Sequence, residues 1–174
     1  MYLKIDDQFA DDQLHLLSEL LALLDTKIIE IYKRLGKTSD PESEGLLDRG
    51  EYFFGIGIVA IQQYLADTLT LTGIEKKCAL NLGPAYSEQL TFVAVLNAAA
   101  NWWKHSAESY LNTAPRKDAA RSREIVIEVG DSDSYELSNV LAKLLRTSEV
   151  TLCSLLPNLI LWRSALDRER RKNA

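Results

Sequence analysis

Histidine and cysteine are scarce in this chain, with two of each in 174 residues. His15 and His105 stand in neither H-x-x-x-H nor H-E-x-x-H spacing, so no helical metal motif is present, and no metal and no cofactor are expected. Cys78 and Cys153 form no C-x-x-C and are too few for a disulfide framework. Both read as reduced, buried, structural thiols. The longest apolar run, Tyr52 to Ile61, is too short for a bilayer, which takes about 20 residues. The opening MYLKIDDQFADD lacks the basic and apolar regions of a signal peptide, so the expected compartment is cytoplasmic, with no membrane partner. There is no glycine-rich phosphate loop, since Gly55-x-Gly57 lacks the rest of that fingerprint, and no G-x-S-x-G. The net charge of -5 gives no general attraction to nucleic acid or anionic lipid.

What the chain does have is helical periodicity. Hydrophobic residues at 47% and charged residues at 26% are ordinary globular values, so residues 1–174 are read as a single helical domain with a polar, frayed C-terminal end, DRERRKNA. Residues 1–10 read as a lead-in. A first helix starts after Asp11 and Asp12, whose carboxylates suit a helix N-terminus, and stops at Gly36. Its stripe is Leu17, Leu20 or Leu21, Leu24, Ile28, Ile31 and Leu35. A connection follows, with a short helix expected over Pro41 to Leu47. The second long helix spans Glu51 to Thr72 and is apolar on nearly every side at its start, as befits a helix buried among others. Gly55 and Gly57 within it would admit a close backbone, for which Ala98 to Ala100 are suitable partners. Gly73 ends it. One turn of helix and a Gly83-Pro84 break come next. Further helices are expected over Lys117 to Val129, closed by Gly130, and over Tyr135 to Arg146. The last runs from Thr147 or Ser148 to about Arg171, with Pro157 kinking it or marking its true start. Its basic end, Arg163 to Lys172, reads as a phosphate contact or as a terminus neutralised by Asp167 and Glu169.

The stretch from Ser87 to Asn112 organises the rest. It reads as one long helix capped by Ser87. Phe92, Leu96, Ala99, Trp103, Ala107 and Tyr110 form a core stripe, and Asn97, Asn101, Lys104, His105 and Glu108 form a polar one roughly 140° away. As a ligand-binding site, Lys104 would hold an anion, His105 would move a proton, Glu108 would orient a base and the amides would fix the ligand. As structure, the same stripe is an exposed face, or amides bonded to a neighbouring helix. Trp102 and Trp103 point about 100° apart and cannot both face one core. Trp102, off the stripe, is expected at a subunit interface.

Long antiparallel helices, an apolar central helix and Asn101-x-x-Lys104-His105 resemble the HEPN group of helical-bundle proteins. Many of these are dimeric ribonucleases of toxin or phage-defence systems, and others are non-catalytic. The resemblance covers Glu51 to Asn112. The group's Arg-x(4-6)-His signature is not intact: the Arg positions before His105 hold Ala98 to Ala100, and those before His15 hold Gln8, Phe9 and Ala10. Only His105 carries over as the candidate catalytic residue, with Asn101 as a displaced polar neighbour. RNA would be a partner under this reading alone.

The sequence therefore points to an all-α antiparallel bundle of five to six main helices. Its expected function is binding or regulation, as a homodimer or with a protein partner. A HEPN-like ribonuclease is the alternative.

Overall fold

In the computed structural model, which describes residues 3–5, 8–106 and 117–172, the chain is an all-α bundle. A short antiparallel hairpin precedes it, β1 (Leu3–Ile5) paired with β2 (Gln8–Ala10), where the sequence promised only a lead-in. Six main helices follow among the described residues: α1 (Asp12–Leu35), α2 (Leu46–Thr72), α4 (Phe92–His105), α5 (Lys117–Gly130), α6 (Glu136–Leu145) and α7 (Leu156–Lys172). The one-turn α3 (Lys76–Ala79) lies between α2 and α4. No helix among the described residues is long and apolar enough to cross a membrane.

Local chemistry sets most boundaries. Asp11 caps α1 by accepting the Leu14 N–H at 3.0 Å, and Lys33 and Arg34 occupy the last turn, against the negative end of the helix dipole. α2 ends at Gly73 in the left-handed conformation. It begins at Leu46, because Pro41 to Gly45 form turns rather than a separate short helix. α4 starts later than expected. Thr91 is its cap, accepting from Ala94 N–H at 3.2 Å, while Ser87 accepts from the amides of Gln89 and Leu90 and so closes a turn. That turn is pinned by N–H bonds from Tyr86 and Ser87 to the Leu90 carbonyl, so the chain cannot be helical there. Pro157 lies in the first turn of α7, where its missing N–H does no harm, and a 3-10 turn over Leu152–Leu155 leads in. α7 runs to Lys172, with Asp167 holding Arg170 and Arg171 and Glu169 holding Lys172.

The core joins all six main helices. Leu21, Ile58, Ile61, Leu96, Leu141, Leu155 and Trp162 are fully buried within it. On α1 the buried set is Leu17, Leu21, Asp25, Ile28 and Ile31, which decides for Leu21 over Leu20. The two α2 glycines admit side chains rather than a backbone. A methyl group at Gly55 would overlap the Trp103 indole, and one at Gly57 would overlap Leu152. Ala98 to Ala100 are buried but are not what the glycines accommodate. Gly83 is constrained twice over, by a φ of +87° and by Trp162, whose Cα would stand 2.9 Å from any Cβ there.

α4 packs between α2 and α5, and this explains its adjacent tryptophans. Both are half-buried. Trp103 lies over Gly55 and meets Tyr52 edge-on at 5.9 Å, whereas Trp102 carries the Arg123 guanidinium of α5 at 5.8 Å from its ring centroid. The two rings diverge onto different neighbours within one chain.

Candidate functional site

The polar stripe of α4 faces a glutamine on α2. Gln62 Nε2 donates to Asn97 Oδ1 at 2.9 Å, to Asn101 Oδ1 at 2.8 Å and to the Asn97 carbonyl at 3.3 Å. Lys104 Nζ donates back to Gln62 Oε1 at 2.6 Å. Three of the five predicted site residues are thus brought together by a residue the sequence reading passed over. Its only signal was an amide pair, Gln62-Gln63, interrupting an apolar helix.

These groups form the polar edge of an open cleft of about 450 Å³. Val59, Leu65, Leu69 and Leu80 supply apolar wall, and Lys76 of α3 stands on the rim. Desolvation pulls the Lys104 ammonium below the ordinary lysine range, and the nearby charge of Lys76 adds to the effect. No protein-family model, curated protein or solved structure matches the chain.

His105 and Glu108 complete the predicted set. His105 ends α4, is half-buried and does not line the cleft. Glu108 lies outside the described residues. Ala98 to Ala100, where the HEPN signature would put its arginine, are 0–3% exposed, so that position points into the core. Among the described residues, no group of three or more His, Cys, Asp or Glu is placed to hold a metal.

The cysteines divide. Cys78 is exposed, correcting the expectation that both are buried. A one-turn helix has little inner face, and Ala79 takes it. Cys153 is half-buried, and its thiol is pushed up to about 11 by burial and by the Asp25 carboxylate, which keeps it protonated and unreactive at neutral pH.

Asp25 belongs to a second polar cluster, missed entirely in the sequence because it interrupts an apolar stripe. Its carboxylate accepts the amides of Leu152 at 2.6 Å and Cys153 at 2.9 Å, and so caps the 3-10 turn before α7. Two turns of α1 further on, the Tyr32 hydroxyl bonds both the N–H and the C=O of Val150.

Proposed function

We propose that the protein is a small cytoplasmic helical binding or regulatory module, active as a homodimer, with its ligand site in the α2–α4 cleft. The observation that most supports this is the one-sided chemistry of the polar edge. Gln62 occupies the side-chain oxygens of Asn97 and Asn101, and Lys104 occupies the oxygen of Gln62. What remains on the lining is chiefly donors, the two asparagine NH2 groups and the ammonium groups of Lys104 and Lys76, against one side-chain acceptor, the amide oxygen of Gln63, whose NH2 is given to Asp67 at 2.8 Å. Such an edge fits an acceptor-rich anion, and the apolar wall fits a hydrocarbon portion of the same ligand. The volume is within the usual span of small-molecule sites, roughly 300–1,000 Å³. No carboxylate, imidazole, hydroxyl or thiol is among the described residues that line the cleft, so it is suited to hold a ligand rather than transform it.

Calorimetric titration with submicellar decanoate tests this. Decanoate should bind, decyltrimethylammonium should not, and Lys104→Gln should weaken decanoate by about tenfold, the worth of one charge-assisted hydrogen bond. Equal binding of the cation, or no effect of Lys104→Gln, would remove the cleft from the reading.

A further inference from the structure

α1 has two apolar stripes, and the bundle uses one. Leu17, Leu21, Ile28 and Ile31 are buried. Leu16, Leu20 and Leu23 lie about a third of a turn away on the helical wheel, and they are 64%, 39% and 68% exposed. Three leucines at i, i+4 and i+7 make one contiguous stripe along a helix surface. Scattered exposed leucines need no explanation, but a row of them on one face does.

The charges bordering the row say what covers it. In line with the three leucines stand Asp12, one turn before Leu16, and Lys27, one turn after Leu23, both exposed. Asp12 and Lys27 are equally far from the centre of the row and opposite in sign. The row is therefore complementary to itself when reversed. Laid antiparallel on a second copy about a two-fold axis midway between Glu19 and Leu20, Leu16 meets the partner's Leu23, the two Leu20 side chains flank the axis, and Asp12 meets the partner's Lys27 at both ends. A parallel pairing would set Asp12 and Lys27 each against their own copy, which like charges disfavour, whereas the antiparallel pairing brings the two Glu19 side chains near each other beside the axis, each with His15 of its own chain at 3.2 Å. Lys27 already contacts Glu30 at 3.1 Å, but an exposed pair is worth little and leaves its ammonium free to serve a second carboxylate. Trp102, the interface residue expected from the sequence, has its partner in Arg123 of its own chain.

We infer that the Leu16–Leu20–Leu23 face of α1 is the seam of an antiparallel, two-fold symmetric homodimer. This gives a location to the homodimer proposed above and is independent of the cleft. Sedimentation across about 1–100 μM, a range chosen to bracket micromolar affinity, should show a wild-type dimer. Leu20→Glu should raise the dissociation constant at least roughly tenfold with an unchanged helical circular dichroism spectrum. A wild-type monomer would overturn both the homodimer and its seam, while an undiminished Leu20→Glu dimer would overturn only the seam. Orientation is read by disulfide cross-linking with Cys78 and Cys153 replaced by serine. A mixture of Leu16→Cys and Leu23→Cys chains should cross-link, and Leu16→Cys alone should not. Self-linking of Leu16→Cys would show a parallel pair and overturn the two-fold arrangement.

Discussion

The Asp25 cluster and the Gln62 cluster both tie distant parts of the chain with hydrogen bonds, and they differ in what they leave over. Asp25 is 6% exposed, and its two oxygens are taken by two backbone amides that have no other route to a partner at the start of a 3-10 turn. Gln62 is half-buried, and its network satisfies every side-chain acceptor while leaving donors turned towards an open cleft. A polar cluster that is buried and closed is structural, because any change strands a desolvated group. One that is half-exposed and has surplus groups of a single kind can take a ligand.

The largest effect that would sharpen this contrast is the loss of Asp25. Asp25→Ala strands the Leu152 and Cys153 amides and should cost about 2–4 kcal/mol in urea denaturation. If it costs no more than removal of Gln62, burial and closure do not separate the two clusters.

A second carboxylate tests the same distinction through pH. Glu51 accepts the Ser138 amide at 3.1 Å, and its other oxygen is buried without a hydrogen-bond partner among the described residues. Burial pushes its acid up to about 7, against the opposing pull of the Ser138 amide. The folded state therefore holds a proton that the unfolded state releases from about pH 4.5 upward. Glu51 thus contributes a stability penalty that grows from that pH to about 7 and is constant above it. Glu51→Gln should stabilise the protein by roughly 1–3 kcal/mol at pH 8 and leave it unchanged at pH 4. Stabilisation of equal size at both pH values would mean that charge is not the cause.

Gln62→Ala should cost less, about 0.5–1.5 kcal/mol by thermal denaturation, because water can reach the freed asparagine oxygens. It should weaken decanoate binding nonetheless, since those oxygens would then face the anion. Retained affinity would separate the amide network from the cleft. The smallest expected effect on binding is that of His105→Ala, which should leave decanoate binding unchanged because His105 does not line the cleft. A fluorescent RNA cleaved by the wild type and spared by this variant would instead restore the ribonuclease reading.

The helices follow from local chemistry along the chain. Asp11, Gly73, Gly130 and Pro157 act within a few residues, and a 3.6-residue repeat shows which stretches have a face to bury, so α1, α2, α5 and α6 were legible to within a few residues. The same locality explains the misplaced start of α4: Ser87 and Thr91 are both acceptable caps, and the choice was made by the Leu90 carbonyl and by Leu80, which accepts the Thr91 hydroxyl. Which partner each face meets was fixed by how the helices pack. Leu20 and Leu21 are chemically identical, and the packing of α2 on α1 sent one inward and the other out. Asn97, Asn101 and Lys104 were visible as a stripe, but their bonding depends on a glutamine 39 residues before Asn101, and Asp25 serves amides more than 120 residues away. Periodicity reports that a side chain is on a given side of its own helix. It carries no information about what stands opposite, because that is set by how the helices pack together.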